Sequence, residues 1–333
     1  MTVPFLSMTT FSWIVALVGL ILAGLIGFYI GNRRSIKLPH PVVRASQKLP
    51  TVPSASPIPD YASTLFVRPR DGKSLSYGQE FALASRRGNW HSEEGVSRQD
   101  AYAVFCRPTF TVLAVADGVS SAYESHWGSA LLTKQLQAEF DRVFPNSYTS
   151  DVAAWSDLNT GLSQKLVAAY VSKMRQEGKE YPQDIEKLRG AAAASYASTL
   201  EILVVDLECS PSGSKFTHVK IAGDGGLFVV SGPEVESAFD LPLSKSSDGT
   251  VFALPIHDGE PEIRTGYIES GSSLVMGTDG VSDHIKSNSS WRSVLVTTLN
   301  SDQLSESALL DLVSFNVTEA GDDRTVVTVR NLY

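Results

Sequence analysis

The order in which hydrophobic periodicities succeed one another is the tightest constraint on this chain. "EFALASR", "DAYAVF" and "FTVLAVA" are short alternating or apolar runs and read as strands. Two helical patterns follow. The first runs from Ser120 to about Phe140, with Ser120 or Ser121 available as N-cap. The second runs from Asp151 to about Gly178, with Trp155, Leu158, Leu162, Leu166 and Tyr170 at helical spacing. Then "ASTLEILVVDL", "FTHVKIAG", "LFVVSG", "EIRTGYI" and "SLVMGT" read as strands, Ser305 to Phe315 as a late helix, and "RTVVTVR" as a closing strand. This is not a repeating βαβ alternation. It predicts an α+β fold in which largely antiparallel sheets carry helices on their outer faces, in one domain over 76–333. With 333 residues, 43% of them hydrophobic and 19% charged, the chain can build a core of that kind.

The preceding residues have a different character. Phe11 to Ile30, "FSWIVALVGLILAGLIGFYI", carries no charge and has the length a helix needs to cross a bilayer, with Trp13 and Tyr29 near its ends. A signal peptide would need a basic start, a shorter apolar run and a small-residue cleavage site, none of which is present. Arg33, Arg34, Lys37, Arg44 and Lys48 follow the run with no acidic residue among them. Positive residues resist translocation, so residues 1–10 are expected outside and the C-terminal domain in the cytoplasm, beneath the inner membrane. Residues 31–75 are rich in proline and read as a semi-rigid, basic tether. Gly19, Ala23, Gly27 and Gly31 recur every fourth residue, the small-residue face through which membrane helices form homodimers, although glycine is frequent in such helices anyway. The net charge of −8 argues against nucleic acid as a partner. Cys106 and Cys209 lie far apart without metal-ligand spacing and are expected to be free, buried thiols in a reducing compartment.

Six Asp-Gly pairs begin at Asp71, Asp117, Asp224, Asp248, Asp258 and Asp279. Asp-Gly ordinarily marks a turn. That explanation suits Asp224, which lies between two strands, but not Asp117 and Asp279, which end strands with no returning strand behind them. "QDAY" and "GDDRT" also put aspartate at strand edges. Asp100, Asp117, Asp279 and Asp322 or Asp323 would converge if those strands are neighbours. Clustered carboxylates repel one another and raise their own pKa values. A divalent cation relieves this, and an all-oxygen donor set selects Mg²⁺ or Mn²⁺. Two such ions bridged by one carboxylate can activate water for attack on phosphorus.

Taken in order, "RRGNWHSEEGVSRQDAYAV", "VADGVSSAYESHWGSALL", "ASTLEILVVD", "IAGDGGLFVV", "LVMGTDGVSD" and "GDDRTVVTV" resemble the motifs of the metal-dependent protein phosphatases of type 2C, most closely their bacterial branch. The resemblance covers about residues 78–330. It implies a sandwich of two antiparallel β-sheets flanked by α-helices. It also implies hydrolysis of phosphoserine or phosphothreonine by two Mn²⁺ or Mg²⁺ ions, with a third as an accessory, and a phosphorylated protein substrate. By motif position Asp117 would bridge both ions and Gly118 would offer its carbonyl. Asp279 and Asp322 would complete one site, Asp100 would act on the second through water, and Asp224 would serve the third. Three departures stand out. Gln99 replaces a common glutamate, Thr278 a common serine, and the arginine that grips substrate phosphate has no match, leaving His91, Arg86, Arg87 and Arg98 as candidates. His91 occupies the motif's histidine position, where holding phosphate and bonding a loop are both open to it. The tether points to membrane-proximal substrates and a partner Ser/Thr kinase. The competing readings are a catalytically weak pseudophosphatase used as a tethered binding module and a purely structural membrane-anchored protein.

Overall fold

The structure is a computed structural model that describes residues 59–69, 78–210, 213–239, 251–302, 304–314 and 321–331. The predicted anchor at 11–30, the tether up to residue 58, Asp71 and Asp248 lie outside the described residues. Among the described residues no helix is long and apolar enough to cross a membrane.

Eleven strands form two sheets among these residues. One has the order β1 (Tyr61–Pro69), β2 (Gly78–Arg86), β11 (Arg324–Asn331), β10 (Ser273–Gly277), β7 (Gly226–Ser231), β8 (Glu234–Ser237). The other has the order β3 (Ala101–Cys106), β4 (Phe110–Ala116), β5 (Leu200–Ser210), β6 (Gly213–Ala222), β9 (Glu262–Ile268). Every pairing is antiparallel. The period-two alternation of the strands explains the layering. Leu113 and Val115 of β4 join Leu203, Val205, Phe81, Leu83, Leu274, Met276 and Val327 in the core between the sheets. Val112, Ala114 and Ala116 face outward into a second core, under α2 (Ser125–Val143) and α3 (Val152–Gln176). The helices α5 (Asp279–Ser287), α6 (Ser289–Leu299) and α7 (Glu306–Leu312) cover the outer face of the other sheet through Trp291, Leu295 and Leu309. A strand with both faces covered reads as a continuous apolar run, as "FTVLAVA" does. The expected sandwich flanked by helices is therefore present.

Several local expectations change. Tyr61–Pro69, read as tether, pairs along its length with β2; Pro59 precedes the strand and Pro69 ends it, on a sheet edge where a missing N–H is tolerated. The first long helix starts at Ser125, not Ser120, and neither Ser120 nor Ser121 caps it. The residues ahead of the helix pair instead with the chain ahead of β5, Val119 N donating to Ala197 O (3.0 Å) and Tyr123 N to Ala194 O (3.0 Å). That partner includes the helix α4 (Ile185–Tyr196), whose alanine-rich sequence gives no apolar period to read. A short helix α1 (Asn89–Glu93) also went unread. Asp151 and Ser305 are the N-caps of α3 and α7, accepting from Ala153 N (3.1 Å) and Ala308 N (3.1 Å). Cys106 is an exposed free thiol rather than a buried one, because it ends β3, the edge strand of its sheet. The Asp224 turn is not a hairpin. β6 and β7 belong to different sheets, so Gly223–Gly225 carry the chain from one sheet to the other.

Candidate metal centre

The carboxylates gather because of strand pairing. Ala101 lies opposite Ala116, so Asp100, just before β3, and Asp117, just after β4, leave the same end of one sheet. Gly277 lies opposite Val326, so Asp279, beyond β10, and Asp322, before β11, leave one end of the other sheet. Thr278 joins the two ends: its Oγ1 donates to Asp100 Oδ2 (2.8 Å) and accepts from Thr325 N (3.1 Å). Asp117 is central, within hydrogen-bond reach of both Asp100 and Asp279. Its backbone is clamped by Thr199, whose Oγ1 accepts from Asp117 N (2.9 Å) and whose N donates to Asp117 O (2.8 Å). Gly118 bridges to Ser198 beside this clamp.

Asp322 and Asp323 have different surroundings. Asp323 is buried and accepts from Gly88 N (2.6 Å), Gln99 N and Asp100 N (3.4 Å), while His91 Nδ1 stands 2.9 Å from its Oδ1. It fastens the loop carrying Asp100 to the start of β11. Asp322 is half-buried, accepts from Asp323 N (2.8 Å) and lines a cavity of about 180 Å³ with Asp279, Gly280, Asp283, His284, Gly321 and Trp90. Gly321 lies flat under the Trp90 ring; a Cβ there would come within 1.8 Å of it. Of the pair, Asp322 is thus the one open to a ligand and Asp323 the one spent on the fold.

Burial raises the carboxyl pKa of Asp100, Asp117, Asp279 and Asp322, and repulsion within the cluster raises the first three further. Asp279 reaches about 6, pushed up by burial first and then by Asp322 and Asp224. Asp100 Oδ1 is buried and has no hydrogen-bond partner. Asp100, Asp117, Asp279 and Asp322 bring more negative charge together than the nearby Arg98 and His91 offset, and a hard dication fits their oxygen-only donor set. Among the described residues no three His, Cys, Asp or Glu side chains already encircle a common point. Asp117 turns toward its two neighbours instead, so accepting an ion means parting these carboxylates.

The candidate phosphate grips are differently engaged. His91 is drawn to Asp323, and that hydrogen bond, opposed by burial, raises its pKa. Arg86 donates to Ser314 Oγ. Arg87 pairs with Asp60 (3.2 Å) and donates to Ser92 Oγ (3.2 Å), bracing the loop of α1. Arg98 is only 6% exposed. Burial lowers its pKa against the field of Asp100 and Asp323, so it offsets the acidic cluster from within. The roles of Thr199, Thr278 and Asp323 were missed by sequence reasoning. The motif neighbours "STL", "GTDG" and "GDDR" flagged their positions but not their partners, which lie 47 to 235 residues away.

A sequence profile described as protein phosphatase 2C matches residues 87–312. No curated protein matches the chain by sequence. Among solved structures, an arginine-to-alanine variant of a bacterial serine phosphatase superposes with a TM-score of 0.50 at 13% identity, over 76% of this chain and 98% of that one. PppA, described as a key regulatory component of T6SS in Pseudomonas aeruginosa, gives 0.49 at 19% identity over 76% and 97%. The catalytic domain of the phosphatase PstP, solved with two manganese ions, gives 0.47 at 16% over 76% and 97%.

Proposed function

The chain belongs to the protein phosphatase 2C family, and from that premise we propose that it is a membrane-anchored, Mn²⁺- or Mg²⁺-dependent phosphatase of phosphoserine and phosphothreonine proteins. The observation that carries the metal-dependent reading is the position of Asp117, in contact with Asp100 on one side and Asp279 on the other. A carboxylate so placed could serve two ions once its neighbours part to admit them. Asp117 would hold both and Gly118 would offer its carbonyl, with Asp279 and Asp322 completing one site and Asp100 acting on the second through water. Asp224, an electrostatic neighbour of Asp279, would serve a third. When bound, the ions supply an activated water and neutralise the phosphoryl oxygens.

The chain's own groups do the positioning. Thr199 holds the Asp117 backbone on both sides, Thr278 orients Asp100, and Asp323 pins the loop that carries Asp100, so the backbones stay fixed while the carboxylates part to take up ions. The cavity beside Asp279 and Asp322, walled by Trp90, is where the phosphorylated residue would enter.

The anchor reading rests on the uncharged run at 11–30 and the basic residues behind it. It would hold the domain at the cytoplasmic face of the inner membrane, acting on membrane-proximal substrates of a partner kinase. Dimerisation through the Gly19–Gly31 face is part of the same proposal. The main metal carboxylates, Asp117, Asp279 and Asp322, are retained, which speaks against the pseudophosphatase reading.

The test is Mn²⁺-dependent hydrolysis of a phosphothreonine peptide by the purified chain, Asp117→Asn and Asp258→Asn. Asp258 is an exposed turn residue 3.7 Å from Arg189. Asp117→Asn should lower kcat by orders of magnitude and Asp258→Asn should change it less than about twofold. An Asp117→Asn variant that binds Mn²⁺ and turns over like the parent would exclude this mechanism.

A further inference from the structure

Beneath the Asp224 turn lie three ionisable side chains that the proposed chemistry does not use. Glu201, His218 and Lys220 are 2%, 1% and 6% exposed and stand on the neighbouring strands β5 and β6. Glu201 places Oε2 3.0 Å from His218 Nε2 and Oε1 3.3 Å from Lys220 Nζ. The strands shift register between Leu200 and Glu201, an irregularity of the sort that re-aims a side chain. Glu201 shares its strand face with Leu203 and Val205, so the triad intrudes into the apolar core between the sheets. Burial pushes the Glu201 carboxyl up, but His218 and Lys220 together outweigh it and hold the pKa below the ordinary value.

A buried ionic cluster is a poor way to stabilise a core, since apolar residues of similar volume commonly do as well or better. Its contacts suggest another use. Lys220 Nζ donates to Gly225 O (3.1 Å), the residue after Asp224. Gly225 is pressed onto both sheets: a Cβ there would come within 2.8 Å of Glu201 Oε1 and 2.5 Å of Gly277 O. Gly277 ends β10, two residues before Asp279. The same turn leans on the Thr199 side chain through Gly223, whose Cβ would fall 2.6 Å from Thr199 Cβ, and Thr199 is the clamp on Asp117.

We propose that Glu201, His218 and Lys220 are positioning residues: Lys220, held by Glu201, ties down the Gly225 carbonyl and so fixes the Asp224 turn against the end of β10, keeping Asp224 and Asp279 together for a shared ion. The inference rests on the metal-dependent reading above. It assigns the triad to the outer, Asp224-bearing site, which shares Asp279 with the pair of ions around Asp117.

Two variants of the purified full chain test it. Lys220→Met removes the tie and leaves Glu201 with His218 alone. The triple variant Glu201→Leu/His218→Leu/Lys220→Met replaces the whole triad by apolar side chains, which keeps the core filled. Hydrogen exchange of the metal-free proteins should be faster at residues 223–227 in both variants and unchanged at 100–101. In calorimetric Mn²⁺ titrations the weakest class of sites should lose about tenfold or more in affinity, as loss of groups behind metal ligands typically causes, while the tighter class is kept. A folded triple variant with parental exchange at 223–227 and parental Mn²⁺ binding overturns the proposal. So does a triple variant that fails to fold, because the triad's role is then stability. A parent that binds no Mn²⁺ would refute the metal-dependent reading and with it the assignment to an ion, whatever the exchange data show.

Discussion

Replacing Asp279 by asparagine should stabilise the metal-free protein and destabilise the metal-loaded one, relative to the parent. Asp279 has a folded pKa of about 6 against a reference of 3.8, owing first to burial and then to repulsion by Asp322 and Asp224. A group whose pKa is raised by folding contributes its full stability below the unfolded value and loses it as pH rises through the folded value. The two-unit difference corresponds to about 3 kcal/mol at 1.36 kcal/mol per unit, an upper bound because the neighbouring carboxylates share the same repulsion. At pH 7.5 without metal the parent carries this penalty. The variant does not, since asparagine has the carboxyl's shape, cannot ionise, and can still accept the bond from Gly280 N (2.6 Å). For a domain of this size the gain is a rise of about 5–10 °C in Tm. At pH 4 the gain should shrink toward zero. With Mn²⁺ at a thousandfold excess over Kd the order should invert, because the parent gains about 4.1 kcal/mol, more than the penalty it carries, and the variant has lost a ligand. The assay is thermal unfolding in chelator and in Mn²⁺, at pH 4 and pH 7.5. A variant that melts at or below the parent in chelator at pH 7.5, or whose gain is the same at pH 4, refutes the electrostatic reasoning.

Thr278→Val should cost about 1–3 kcal/mol, because it leaves Thr325 N unpaired and Asp100 without its donor, while Thr278→Ser should restore both; chemical denaturation checks this. In the metal-free chain His91 should titrate above 6.5, so that the stability its pair with Asp323 provides is present at low pH and lost as pH rises through that raised value; NMR titration should find this pKa lowered in Asp323→Asn. A cytoplasm-specific reporter fused after Tyr333 should be active and a periplasm-specific one silent, and the opposite result would reverse the orientation inferred from Arg33–Lys48.

Much of the molecule was readable in the linear chain because it depends on local regularities. Short apolar and β-branched runs such as "FTVLAVA" and "RTVVTVR" marked the strands, and helical spacing from Trp155 to Tyr170 marked α3. Aspartate at strand ends marked the residues that could meet. What periodicity cannot carry is which strands are neighbours. That Asp100 and Thr278, 178 residues apart, share a hydrogen bond follows only from two sheets stacking with their ends in line. The same stacking turned the apparent hairpin at Asp224 into a crossing between sheets, and placed an ionised Glu201 under it. The adjacent Asp322 and Asp323 are alike in sequence and opposite in role, because Asp323 points into a nest of buried N–H groups and Asp322 into the cavity. Residue type sets what a carboxylate is able to do, whereas its charge, partners and ligand depend on burial and on groups brought close only by the folded chain.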